Sequence, residues 1–282
     1  MQDAPRPRFE AMTVGMVLDQ AMRLYARNFP LLVGIFALAY IPYNILLGAV
    51  TWLMQSNPES IGVVALTLLG LFLVMLLLWL LVLPLSTGAT SFAVSEKYLE
   101  RSVTIFSAYN SAFKRFWPVL GSQLVVGLAV AAGTLACIVP GIFLWLCWSV
   151  VVPVVMLEQQ GAFDSMRRSW DLTDGFRWKI LGVAVVVGIL SYALVFGTTM
   201  VAWLAIALLG NPASLMAHII TQGTTAGATL LTAPLFSVVI VLLYYDLRIR
   251  KEGFDLVLLN QSLYGEDPDL SYAPPSSTLG LS

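Results

Sequence analysis

Charge is scarce in this chain. Asp, Glu, Lys and Arg together make up 11% of its 282 residues, against about 25% in soluble domains, so a fold wetted on every side is excluded. Histidine occurs once, at His218, with no cysteine or carboxylate near it in the sequence. A metal centre is therefore not expected, and neither is any other cofactor. Only two cysteines are present, Cys137 and Cys147, set on either side of Pro140 inside apolar segments. They would lie at different depths, so they read as small core hydrophobes and not as a disulfide. The net charge of −1 carries no basic excess, which removes nucleic acid as a partner. No Ser/His/acid set can be built around one histidine, and no phosphate-binding glycine loop or metal-binding helix motif appears. An enzyme is not expected.

What the chain has instead is apolar mass. Apolar residues are 59% of the total and mean hydropathy is +0.84, whereas soluble domains sit at about 45–50% apolar. These residues come in long unbroken runs, which excludes the alternating ten-residue pattern of a transmembrane barrel and requires helices in lipid. Six spans are predicted, at 30–54, 61–90, 118–138, 141–157, 180–209 and 223–245, within a membrane domain over 13–259. Leu215 to Gln222 fits either a short outer helix or the start of the last span. A polar segment, 1–12, precedes the domain, and no cleavable leader is expected. The acidic, Pro- and Ser-rich end, 260–282, is expected to be a disordered cytoplasmic tail.

Basic residues near span ends stay on the cytoplasmic side, and here their distribution is one-sided. Arg6, Arg8, Arg23 and Arg27 precede span one, and Lys97, Arg101, Lys114 and Arg115 separate spans two and three. Arg167, Arg168, Arg177 and Lys179 separate spans four and five, and Arg248, Arg250 and Lys251 follow span six. The opposite loops carry only Glu59. Both termini are thus expected in the cytoplasm. Pro42, Pro84, Pro153 and Pro234 fall inside spans, where each removes a backbone bond and bends its helix.

Short amphipathic stretches stand before spans one, three and five. The second carries Val103, Ile105, Phe106, Tyr109, Ala112, Phe113, Phe116 and Trp117 at helical spacing. The first repeats the design with Val14, Val17, Leu18, Ala21, Leu24 and Tyr25, and a shift of 88 residues places Val17 on Ile105 and Pro30 on Pro118. The third has Phe163, Met166, Trp170 and Thr173 in looser register. The expected fold class is an all-α integral membrane protein: six transmembrane helices, three interfacial amphipathic helices and a threefold helical-hairpin repeat.

Acidic groups within reach of the spans are Glu96, Glu158 and Asp246, all at the cytoplasmic boundary. Glu158, Arg168, Asp246, Arg248, Arg250 and Glu252 form the candidate charged layer. Glu158 with Arg168 and Asp246 with Arg248 are the expected pairs, locking spans four and six to the third interfacial helix. The candidate polar interior is Asn44, Gln123, Gln222 and Thr225. Gly223 and Gly227 have the spacing that lets helix backbones approach closely; a polar cavity opening outward is the alternative.

Two stretches carry a resemblance. From Pro140 to Gly182, a Pro140-Gly141 break leads to a span ending at Glu158 and then Arg168-Ser169-Trp170. From Leu242 to Leu259, Tyr245, Asp246, Leu247 and Arg248 lead to Arg250, Lys251, Glu252, Gly253, Phe254 and Asp255. Both resemble the prokaryotic membrane-protein family named after the membrane domain of glycerophosphoryl diester phosphodiesterase. The resemblance extends over roughly Val14 to Leu259 and implies a six-span protein of the bacterial cytoplasmic membrane. It does not imply phosphodiesterase activity, because that belongs to a fused catalytic barrel of which this sequence has no counterpart. Three functions stay open: a module binding anionic lipid headgroups or a membrane or cytoplasmic protein, a transporter or lipid translocator, and an embedded enzyme.

Overall fold

A computed structural model describes residues 12–56, 61–209 and 214–253. Most of the predicted polar N-terminal segment, Glu59 and the whole predicted tail lie outside the described residues. Those described are mostly helical, with no strand among them. In chain order they are α1 (Val14–Arg27), α2 (Phe29–Ser56), α3 (Ile61–Leu77), a π-helical turn (Leu78–Val82), α4 (Leu83–Tyr98), α5 (Ile105–Lys114) and α6 (Phe116–Ala136). There follow α7 (Ile138–Cys147), α8 (Val151–Leu157), α9 (Ala162–Thr173), α10 (Arg177–Leu209) and α11 (Leu215–Glu252).

Side-chain caps set several starts. Thr13 Oγ1 accepts the Met16 N–H, Thr104 and Ser107 exchange side-chain and backbone bonds at the head of α5, and Ser214 accepts from Ala217 N–H. Gly253, at φ 61°, closes α11 in the left-handed conformation with its N–H on the Ile249 carbonyl. Leu215 to Gln222 forms the opening turns of α11.

Six helical stretches are long and apolar enough to cross a membrane: Phe29–Leu53, Ile61–Tyr98, Phe116–Ala136, Ile138–Leu157, Arg177–Leu208 and Leu215–Glu252. Their outer faces leave Ile45, Leu66, Phe72, Leu128, Ile189 and Leu204 more than half exposed. Contiguous apolar surface of that extent is unfavourable in water and natural in lipid. Together with their length, it makes the chain a multi-pass membrane protein.

The prolines are accommodated in different ways. Pro84 is preceded by the π turn, in which Leu83 N–H reaches back five residues to Leu78 O. Pro153 divides span four: the chain leaves the helix at Trp148 and re-enters at Val151, placing Pro153 in the first turn of α8, where no N–H is needed. The break turns Val151 N–H onto Trp148 O instead of Cys147 O. Hydroxyls of α9 take its place, Ser169 Oγ donating to the Cys147 carbonyl at 2.9 Å and Thr173 Oγ1 at 3.2 Å. In an unbroken helix Pro153 would free the Ser149 carbonyl; the helix instead opens two residues earlier, at Cys147.

The second half of α11 is the central post. Val238 through Leu247 are buried all round, against α1, α4, α8, α9 and α10. On α4, Ser86, Ala89, Thr90, Ala93 and Val94 are buried, a small-residue surface that admits close neighbours: a Cβ on Gly88 would meet Ala112 Cβ of α5 at 3.4 Å. The three short helices also turn small residues inward, namely Val17 and Ala21, Ala108 and Ala112, and Ser165, Ser169 and Thr173. Phe106 (84% exposed), Phe113 (72%) and Phe163 (73%) point away from the bundle. Of the stripes read from sequence, Val17, Ala21, Ala112, Met166 and Thr173 are buried while these phenylalanines are not; the small residues let α1, α5 and α9 dock closely.

Candidate functional site

The ion pairs of the signature residues gather where the ends of α8 and α11 meet α9 and the start of α10. Two ion clusters lie there on opposite sides of α11. On the first side, Tyr244, Arg248 and Glu252 follow one another at four-residue spacing and so share a helix face. Glu158, which caps α8, accepts Arg168 Nε at 3.0 Å and the Tyr244 hydroxyl at 3.0 Å. Arg168 also pairs with Glu252, which accepts Arg248 Nε at 3.0 Å. Arg248 Nη1 donates to Tyr244 Oη at 3.1 Å, and its Nε lies 3.9 Å from Glu158. Burial alone would lower the pKa of Arg168, but its hydrogen bond to Glu158 and the charges of Glu158 and Glu252 outweigh that and raise it.

On the other side, Asp246 is completely buried. Met12 N–H donates to its Oδ1 at 2.7 Å, Arg250 Nε lies 3.2 Å from both carboxylate oxygens, and Lys179 at the start of α10 pairs with Oδ2. Lys179 and Arg250 also donate to the Met12 carbonyl, at 2.6 and 2.7 Å. The backbone ahead of α1 is thereby clamped between α10 and α11.

The expected pairing of Asp246 with Arg248 does not form. Two residues along a helix are about 200° apart, so the two side chains leave α11 on opposite sides and belong to different clusters. Lys179, Tyr244 and the Met12 backbone were not anticipated. The four-residue spacing of Tyr244, Arg248 and Glu252 was a readable signal; nothing local pointed to Lys179, 67 positions from Asp246.

The remaining signature residues also have internal partners. Tyr245 Oη lies 2.6 Å from Ser95 Oγ of α4, and Leu247 is fully buried. Lys251 bonds the Asp171 carbonyl of α9. Trp170 meets Phe143 and Trp148, with the Arg177 guanidinium over both Phe143 and Trp170. Gly141 lies where α6 and α7 meet: a Cβ there would fall 2.0 Å from Thr134 Oγ1 and 2.9 Å from Thr134 Cα. Phe254 and Asp255 lie outside the described residues. Both resembling stretches thus describe one interlocked unit. Residues 135–260 match the family model for the membrane domain of glycerophosphoryl diester phosphodiesterase. Neither the curated proteins nor the solved structures returned a match. The matched membrane domain is distinct from the catalytic domain of such a phosphodiesterase, and in this membrane domain Glu158 and Asp246 are each neutralised by neighbouring cations.

The candidate polar interior does not come together as one site. Gln123 is on α6, donating to Thr87 Oγ1 of α4 at 2.8 Å. Asn44 donates to its own helix at Tyr40 O, 2.9 Å away, and lines a groove of ≈ 490 Å³ between α2 and α11. Gln222 also lines that groove, while its Nε2 donates to Thr51 Oγ1 at 3.1 Å. Thr225 lines a smaller cavity of ≈ 350 Å³ toward α10, shared with Gln222. His218, unassigned from sequence, joins this group, with Nε2 3.0 Å from Gly48 O and 3.4 Å from Thr51 Oγ1. Its spacing of four from Gln222 was the signal. Gly223 and Gly227 do not bring helices together, since a Cβ on either would meet nothing within 4 Å. They form part of the groove wall instead.

Proposed function

We propose that the chain is a non-catalytic module of the bacterial cytoplasmic membrane, both termini cytoplasmic, that holds anionic lipid headgroups at its charged end. One observation carries this reading. The signature acids are consumed by Arg168, Lys179, Arg248 and Arg250, while Arg27, Lys97, Lys114 and Arg167 carry no ion pair among the described residues. Each such cation near a membrane surface contributes about 1 kcal/mol of attraction to anionic lipid. Purified protein titrated with phosphatidylglycerol and with phosphatidylcholine, and read by native mass spectrometry, is expected to prefer the anionic lipid by more than tenfold. Equal occupancy would overturn the reading. A protein partner at the same end would compete with the lipid.

The groove between α2 and α11 favours a second reading, lipid translocation. It extends from Leu215 to Leu230, roughly 22 Å along the helix at 1.5 Å per residue, and its rim residues Ile45 and Ile219 are exposed. Asn44, His218 and Gln222 offer polar contacts along an otherwise apolar wall. In liposomes, fluorescent-lipid translocation is expected to exceed that of protein-free vesicles. Gly223→Leu with Gly227→Leu is expected to abolish the excess while leaving melting unchanged, because both positions face open space. A rate unaffected by filling the groove excludes it as the path.

A further inference from the structure

A separate cavity of ≈ 520 Å³ opens at the charged end between α1 and the turn that ends α4. Four cations line it, Arg23 and Arg27 from α1 and Lys97 and Arg101 from the α4 end, with Asn28 as a neutral donor and Glu100 as the one acid. Its volume is in the range of ligand sites. We infer that this cavity binds a phosphate-bearing anion, supplied by the headgroup of an anionic phospholipid. The inference rests on the lipid-binding reading above and gives it a location.

Basic residues at helix C-termini commonly serve the helix itself, by meeting its last carbonyls or its negative dipole end. Here the carbonyls are already satisfied. Asn28 N–H lies on Leu24 O and Tyr25 O, and Asn28 Nδ2 donates to Leu24 O as well. At the end of α4, Leu99 N–H reaches Ser95 O, Glu100 N–H reaches Lys97 O and Arg101 N–H reaches Glu96 O. Arg27 and Lys97 are not needed as caps, and neither has an ion pair among the described residues. Arg23 is shared with Asp19, and Arg101 is loosely paired with Glu96 at 3.7 Å. The cavity thus holds two uncommitted positive charges and two that a stronger anion can recruit.

Glu100 opposes the four cations and offers a second handle on the cavity. It occupies the left-handed region at φ 60°, a position that ends helices and usually belongs to glycine. Among the described residues its carboxylate is the acid that lines the cavity, limiting attraction for anions.

The test is binding of two probes to the full chain in detergent, short-chain phosphatidylglycerol and inorganic phosphate, measured by calorimetry. Arg27→Gln with Lys97→Gln is expected to weaken phosphatidylglycerol binding at least tenfold, and Glu100→Gly to tighten it severalfold, both without lowering the melting temperature. Lys114→Gln with Arg167→Gln, unpaired cations that do not line the cavity, is expected to weaken binding several times less than the Arg27/Lys97 pair does. Tighter binding of phosphatidylglycerol than of phosphate supports the lipid as the source. Binding of phosphate alone, lost in the Arg27/Lys97 variant, would overturn the lipid source. If wild-type protein binds phosphatidylglycerol but the two double variants lose affinity equally, the cavity is overturned and general lipid attraction stands. If wild-type protein shows no preference for phosphatidylglycerol over phosphatidylcholine, both fail.

Discussion

Asp246→Ala is expected to lower stability in detergent by about 3–5 kcal/mol, the typical cost of breaking a buried ion pair by removing one partner. The carboxylate is fully buried and faces Lys179 and Arg250, themselves only 14% and 28% exposed. Without it, two cations repel one another beside the Met12 backbone, and the Met12 N–H loses its acceptor. Asp246→Asn keeps an oxygen for Met12 but not the charge, so its loss should be similar in kind and smaller. Arg248→Ala should be milder still, because Arg168 continues to neutralise both Glu158 and Glu252. Unfolding of the purified variants in mixed detergent gives the ranking directly. An Asp246→Ala protein as stable as wild type would show that the clamp on the chain ahead of α1 contributes nothing.

The spans were legible because lipid demands continuous apolar length, a property of composition and not of partners. Their ends were less so. Helices α10 and α11 continue into Arg177 and Glu252, since hydrogen bonding of the helix does not stop where hydrocarbon does. The charged residues were legible as a layer, but their pairing was not. Asp246 and Arg248 are close in sequence and divergent in space, while Asp246 and Lys179 are the reverse. The apolar stripes on α5 and α9 did not say which of their members pack on protein, because an apolar face is satisfied equally by protein and by lipid. Gly223 and Gly227 were misread for a related reason: their spacing permits close approach without placing a second helix there. His218 was legible as an isolated polar group, yet its partner Gly48 O is a backbone atom on another helix.

The signature that carries the family resemblance is spent on holding the bundle together. Tyr245, Asp246, Arg248, Arg250, Lys251 and Glu252 each have internal partners, and Ser169 closes the break in span four. Under the reading proposed above, recognition falls to the unpaired cations and to the groove between α2 and α11, where substitutions are expected to alter binding without loosening the fold.

Gly141→Ala is expected to disrupt the same scaffold at the junction of α6 and α7. Helices α6 and α7 are joined through a single residue, Cys137, held in an extended conformation at φ −169°. So short a connection forces the helix ends together, and the site of a Gly133 Cβ lies 3.2 Å from the Gly141 backbone. An alanine methyl at 141 would overlap Thr134 Oγ1 and press on Thr134 Cα, a backbone atom that cannot rotate away. Overpacking of this kind costs typically about 1–3 kcal/mol, and splaying the hairpin would also draw the Cys147 carbonyl from Ser169 and Thr173. Thr134→Ala should rescue little, since its Cβ and Cα remain 2.9 Å from the new methyl; Thr134→Gly should rescue more. Gly182→Ala is the matched control, because a Cβ there meets nothing within 4 Å, and replacing a helical glycine by alanine stabilises by about 0.5–1 kcal/mol. Opposite shifts in melting temperature for the two glycine-to-alanine variants are the expected result. Equal tolerance of both would mean that the hairpin is not closed at Gly141.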